Sequence, residues 1–271
     1  MSGGSLYRRE GDLFVPTPLA ASPWSSGQQH GGPVLGLVAH ASESHVADPG
    51  LRPVRLSVDL FRAVPLSPIE VQTTSIRRGR RLELVQVSLL GGGHEVSRSH
   101  VLFLRDTPAP GFETEDEKIA GPEGLETTSM IPRDLWKDIR PGFHTHVEVR
   151  WVSSPRSKDP IFWVRVPANL VEDTPWTPFQ RAASVSDLAN AISSVRRMAH
   201  VPSRSTFINP DSTTYLSRLP EGEWIRVRCD GLFDRDGIGV GEVVHHDERG
   251  RFGRTLQARL ANSHPLSNLE G

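Results

Sequence analysis

The sequence predicts an α+β protein built twice on one plan. Three observations carry that expectation: a helix that is apolar nearly all round, a run of antiparallel strands after it, and the return of the same order in the second half.

The first element is short, with Leu6-Tyr7 and then Leu13-Phe14-Val15. A Pro/Ser/Gly/Gln segment follows, from Pro16 to Gln29. Next comes Pro33-Val34-Leu35-Gly36-Leu37-Val38-Ala39-His40-Ala41, which holds no formal charge. Gly31-Gly32 precede it, and Pro33 suits a first helical position. The pattern predicts a helix from Pro33 to about His45, enclosed rather than laid on a surface. Four strands are then predicted at 55–63, 69–77, 82–90 and 96–105, with turns at Arg78-Gly79-Arg80 and Gly91-Gly92-Gly93. In the second half strands are predicted at 146–152 and 161–166. A helix is predicted from about Ala182 to Met198, on the recurrence of Val185, Leu188, Ile192 and Val195. Further strands follow at 206–216, 224–233, 238–245 and 252–260.

Between the halves, prolines and glycines alternate with Glu113, Glu115, Asp116 and Glu117, as in an acidic, weakly structured linker. The expected division is therefore 1–107, a linker at 108–141, and 142–271. The 271 residues suffice for two cores. The repeat has one local check. Leu60-Phe61-Arg62-Ala63-Val64-Pro65 follows the first helix, and Leu216-Ser217-Arg218-Leu219-Pro220 follows the second. Setting Arg62 against Arg218 lays Asp187 on Gly31 and Gln257 on Val101.

Composition bounds the function. The net charge is −1, with 31 basic and 32 acidic residues, so nothing points to a nucleic-acid partner. Cys229 is the single cysteine, which fits a reducing compartment and a cytoplasmic protein. No apolar run has the length of a signal peptide or a membrane span, so neither export nor spanning is expected.

Asp187 is the only formally charged residue from Ala182 to Val195. A carboxylate on an enclosed helix is costly unless it is paired or used. Its bland reading is a capping box, Ser184-Val185-Ser186-Asp187, with the carboxylate near a helix N-terminus. Gln257 shares a strand face with Thr255 and Arg259, ordinarily an exposed place. Asn209-Pro210-Asp211 is strong turn chemistry, although Asn209 or a neighbouring hydroxyl could reach the site of Asp187. His30-Gly31-Gly32 opens the first helix, where backbone N–H groups can hold a developing oxyanion and glycine allows close approach. His144-Thr145-His146 and His245-His246 lack clear companion ligands, so no metal or other cofactor is expected. Asp234-Arg235-Asp236-Gly237 reads as a hairpin turn, and no G-x-S-x-G supports a serine nucleophile.

Gly31-Gly32-Pro33-Val34-Leu35-Gly36 and Val58-Asp59-Leu60-Phe61-Arg62-Ala63-Val64-Pro65 resemble the first half of the acyl-CoA thioesterase II (TesB-like) family. Ser186-Asp187-Leu188-Ala189-Asn190 and the Gly222-Glu223-Trp224 strand resemble its second half. The resemblance spans roughly 12–106 and 144–261. It implies a double hot-dog fold, a central helix wrapped by an antiparallel sheet in each half. It also implies hydrolysis of acyl-CoA thioesters, in fatty acid metabolism, without a metal or a covalent serine. The family's catalytic aspartate falls on Asp187 and its glutamine on Gln257. Its hydroxyl position is a departure: counting back from Trp224 reaches Ile208, flanked by Thr206 and Asn209. His30 stands where an apolar residue is expected.

The mechanism so implied is direct attack of water on an acyl-CoA or acyl-carrier thioester. Asp187 takes the proton, Gln257 with Asn209 or Thr206 positions the water, and the N–H groups near Gly31 and Gly32 hold the oxyanion. Two alternatives stand beside it. One is a non-catalytic acyl-CoA or acyl-lipid binder on the same scaffold. The other is a hot-dog enoyl hydratase, which needs an Asp/His pair, and no histidine lies near Asp187 in sequence. Exposed sheet edges predict a homo-oligomer.

Overall fold

The computed structural model describes residues 4–23, 25–111, 116–131, 140–157, 159–190 and 206–262. The first half runs β1 (Ser5–Glu10), β2 (Leu13–Pro16), α1 (Gly31–His45), β3 (Leu51–Leu60), β4 (Ile69–Arg78), β5 (Leu82–Gly91) and β6 (His94–Arg105). The second runs α2 (Phe143–His146), β7 (Glu148–Trp151), β8 (Ile161–Arg165), β9 (Asn169–Val171), α3 (Pro178–Ser186), β10 (Thr206–Ile208), β11 (Asp211–Leu216), β12 (Ile225–Arg235), β13 (Ile238–Asp247) and β14 (Gly250–Asn262).

Among the described residues, all 14 strands join one sheet, in the order β7-β8-β12-β13-β14-β11-β3-β6-β5-β4-β2-β1-β9, with β10 also paired to β14. The two halves meet where β11 pairs antiparallel with β3, Ser212 opposite Val58. A second seam closes at the far end, where β1 lies parallel to β9. Helix α1 is wrapped as expected: Val34, Leu35, Leu37, Val38 and Ala39 are buried almost completely. It packs on β4, β5 and β6 and on α3.

Internal repetition is visible in the element bounds. Shifting by 156 residues, the offset of Arg62 from Arg218, carries β5 onto Ile238–Asp247 and carries β4 onto 225–234, against the observed Ile225–Arg235. The same shift carries β6 onto 250–261 and the start of α1 onto Asp187.

Four expectations are corrected. First, α3 starts at Pro178 rather than near Ala182. Thr177 caps it, its hydroxyl accepting from the Gln180 N–H at 3.2 Å, and proline fills the first turn. This is a stronger start than Ser184–Asp187, so Asp187 lies at the C-cap of α3 rather than in an N-terminal capping box. Helical backbone resumes at 188–190, and the expected remainder to Met198 lies outside the described residues. Second, the strand predicted at 206–216 breaks at Asn209-Pro210, because proline has no N–H for the ladder. Third, the strand predicted from His146 begins at Glu148, after the turn of α2. Fourth, β9 was missed, since three residues are too few to show periodicity.

The Asp236-Gly237 hairpin is as expected, with both residues at positive φ (53° and 80°). Arg218 is a structural clamp. Its guanidinium donates to both oxygens of the buried Asp247 and holds that carboxyl below the ordinary range despite the burial.

Candidate active site

The two helices pack antiparallel, N-terminus of α1 against C-terminus of α3. A Cβ on Gly36 would strike the Ser184 side chain, and one on Gly32 would lie 2.9 Å from the Ser184 carbonyl oxygen. At the far end, the Thr177 hydroxyl and the Gln180 amide donate to Glu43. This small-residue contact brings the start of α1 onto the end of α3. A Cβ on Gly31 would collide with the Asp187 carboxylate, so only glycine fits there. Gly31 and Asp187, equivalent by the 156-residue shift, are thus direct neighbours.

Asp187 is 5% exposed. Its Oδ1 accepts from Asn209 Nδ2 at 3.1 Å, and its Oδ2 lies 3.1 Å from His30 Nδ1. The carboxylate also lies against the N-terminal, electropositive end of α1. A helix N-terminus beside Asp187 was therefore expected, but it belongs to the other helix.

His30 is the N-cap of α1, its Nδ1 3.0 Å from the Gly32 nitrogen. The segment before it is pinned. Gln29 accepts from the Tyr7 hydroxyl and donates to the Pro65 carbonyl at 2.7 Å, and the His30 N–H donates to the Ala20 carbonyl at 2.8 Å. Around the position expected to hold an apolar residue, one wall is apolar and the others are polar. The His30 ring lies 5.0 Å from the Phe143 ring and stacks on His144 at 6.0 Å. Burial pushes the His144 imidazole down to about 3, so it stays neutral.

Gln257 is 1% exposed, against the expectation of an exposed strand residue. Its Nε2 donates to Ser212 Oγ at 3.2 Å, and its Oε1 has no partner among the described residues. Next to it, Thr214 and Thr255 share a hydrogen bond of 2.7 Å, and Thr255 meets His245 Nε2 at 2.8 Å.

The fold thus brings Asp187, Asn209, His30 and Gly31 into one cluster with Gly32, while Gln257 is bound to Ser212. Ile208 points outward at 39% exposure, so the residue bonded to the aspartate is Asn209. The Thr206 backbone pairs with Asn262, and its side chain lies outside the described residues. Three neighbours had no site role assigned from sequence: Ser212, His144, weighed there only as a metal ligand, and Asn190, quoted there beside Asp187, whose Nδ2 ties the chain after Asp187 to the Phe207 carbonyl at 2.9 Å. None carries a local signal, since each partner lies on a different element.

Family models decide the wider context. The acyl-CoA thioesterase N-terminal domain matches residues 20–104, and the acyl-CoA thioesterase C-terminal domain matches residues 122–260. The chain belongs to the acyl-CoA thioesterase family. It is a thioester hydrolase by that membership.

Solved structures agree in fold. A hot-dog protein of unknown function from Alicyclobacillus acidocaldarius superposes with a TM-score of 0.72 at 14% identity, covering 95% of this chain and 96% of that one. A tesB protein from Mycobacterium avium subspecies paratuberculosis gives 0.68 at 14%, covering 94% and 95%. The acyl-CoA thioesterase II TesB2 from Mycobacterium marinum gives 0.65 at 16%, covering 94% and 93%. No curated protein matches. Among the described residues, no helix is long and apolar enough to cross a membrane.

Proposed function

We propose that this thioesterase is a double hot-dog enzyme, with units at 1–107 and 142–271 joined by 108–141, and that it hydrolyses acyl-CoA by direct attack of water at Asp187. The 156-residue repeat of β4, β5 and β6 supports the two-unit reading. The single observation that carries the mechanism is the Asp187 carboxylate, buried and held by Asn209 against the N-terminus of α1.

Asp187 accepts the proton of water as the water oxygen attacks the thioester carbon. The carbonyl oxygen becomes the oxyanion and is met by the N–H groups of Gly31 and Gly32 at the start of α1, the Gly32 N–H leaving the His30 Nδ1 to which it donates in the free protein. Collapse breaks the carbon–sulfur bond, and the thiolate takes the proton from Asp187. The Gln257 carbonyl oxygen accepts a hydrogen bond from the water, its amide being held by Ser212. Asn209 orients the base rather than the water. Thr206 has no part in this reading. The scaffold needs no metal or cofactor for these steps, acts in the cytoplasm, and self-associates.

The test is thiol release from acyl-CoAs of increasing chain length, wild type beside Asp187→Asn. Loss of the base should lower kcat by about 10²-fold or more. An Asp187→Asn enzyme with full turnover would refute the assignment.

One observation favours a second reading. The Asp/His pair that a hydratase needs is present in His30 and Asp187, which are far apart in sequence. The same pair could add the oxygen of water to C3 of a 2-enoyl thioester and a proton to C2. Loss of enoyl absorbance from crotonyl-CoA without thiol release would establish it, and thiol release alone would dismiss it.

A further inference from the structure

We propose that the tip of the β4–β5 hairpin is a docking surface for anionic lipid, which holds this thioesterase on membranes of that charge. The inference goes beyond the chemistry at Asp187 and uses none of its residues.

The observation is a local concentration of positive charge on a chain whose net charge is −1. From Val71 to Leu82 there is no acidic residue, while Arg77, Arg78, Arg80 and Arg81 surround Gly79. All four are exposed. Arg78 serves the fold: its guanidinium pairs with the buried Glu83 and donates to Ser75. Arg77, Arg80 and Arg81 make no ion pair among the described residues. The turn does not need their side chains. The Gly79 N–H donates to the Leu82 carbonyl at 2.9 Å, and Arg105 donates to the Arg80 carbonyl at 2.8 Å and to the Arg81 carbonyl at 3.0 Å. The internal repeat makes the same point. Shifted by 156 residues, the five positions 77–81 become Phe233, Asp234, Arg235, Asp236 and Gly237, and the β12–β13 hairpin folds without an arginine run.

Apolar neighbours decide what the charge meets. Ile76 is the extra residue of a bulge between Ser75 and Arg77, and it is 51% exposed. Leu104, opposite Leu82 at the end of β6, is 37% exposed. Arginines beside projecting aliphatic side chains at a hairpin tip suit a bilayer interface. There the guanidinium groups meet lipid phosphates while the aliphatic groups enter the headgroup layer. A second copy of the chain is a poorer complement. Asp234 of the equivalent tip is already paired with Arg259, and Arg235 offsets Asp236.

The tip also lies away from the site. His45, at the end of α1, meets Thr73 and Ser75 of β4 at 2.9 and 2.8 Å. Gly31 and Asp187 lie at the other end of that 15-residue helix, about 22 Å along its axis. The tip can therefore sit on lipid without covering Asp187. Long-chain acyl thioesters are amphiphiles that collect at the same surface, so docking raises their concentration around the enzyme.

The experiment is co-sedimentation of the full chain with vesicles of phosphatidylcholine alone and of phosphatidylcholine mixed with phosphatidylglycerol. Wild type should pellet with the mixed vesicles and not with the neutral ones, and less so as salt is raised. Arg77→Ser, Arg80→Ser and Arg81→Ser combined should weaken that binding by about 10²-fold. Ile76→Ser with Leu104→Ser should weaken it by about tenfold. Thiol release from a short-chain acyl-CoA should stay at the wild-type rate in the triple variant, which also reports that the variant is folded. Wild type with no preference for anionic vesicles overturns the proposal, whatever the variants do. So does undiminished binding by the triple variant. Binding that falls with the arginines but ignores Ile76 and Leu104 also overturns it, in favour of an acidic protein surface. If wild type ignores vesicles and the triple variant sediments at a lower mass, the tip is an interface between copies instead.

Discussion

At the scale of single residues, the site depends on what is missing as much as on what is present. Gly31 leaves the space that the Asp187 carboxylate fills. Gly31→Ala should therefore displace Asp187 and lower kcat by about 10²-fold, with thermal stability reduced by about 1–3 kcal/mol. Thiol release and a melting curve measured together check this. Buried histidines set a pH dependence of another kind. His245 is fully buried, and burial pushes it down to about 3 from the unfolded value of 6.5. Below pH 6.5 the unfolded chain binds a proton there that the folded chain refuses, so stability is lost as pH falls from 6.5 toward 3. The slope is about 1.4 kcal/mol per pH unit for such a group. Urea unfolding midpoints should fall across that window, and His245→Gln should flatten part of the fall.

At the scale of elements, the antiparallel contact of α1 with α3 delivers Asp187 to Gly31. Its closeness comes from Gly32, Gly36, Ala183 and Ser184, all buried. A methyl at Gly36 would meet the Ser184 hydroxyl and Leu170. Gly36→Ala should cost about 1–3 kcal/mol by overpacking, and Gly36→Leu should cost more and impair turnover as well. Denaturant midpoints paired with kcat are the measurement. A stable, fully active Gly36→Leu would mean that helix spacing does not set the site. Helix α1 was legible because it is apolar nearly all round. The end of α3 was not, because Ser184-Val185-Ser186-Asp187 reads equally well as a start, and only the stronger Thr177-Pro178 start decides against it.

At the scale of the molecule, the second-half sheet presents an exposed apolar face. Phe233 pairs across to Val240, and Ile238 pairs to Leu260, which in turn pairs to Ile208. Phe233 and Ile238 are 68% and 66% exposed. A contiguous face of this kind predicts self-association. Sedimentation should give a mass above that of the 29.9 kDa chain, and the double change Phe233→Lys with Ile238→Lys should lower it. Wild type sedimenting as a monomer would count against the expected homo-oligomer.

The sequence by itself determined the plan: the enclosed helix, the strands after it, their return 156 residues on, and the prominence of Asp187. These follow from periodicity, turn chemistry and the cost of a charge among apolar neighbours, all of which are local. Only the tertiary structure decided the company each residue keeps. His30 meets Asp187 across 157 positions, Asn209 rather than Ile208 bonds to the carboxylate, and Ser212 takes the amide of Gln257. The physical reason is that these contacts depend on how closely two helices approach and where a strand breaks at Pro210. Glycine and proline permit both, but packing fixes the register in which they occur.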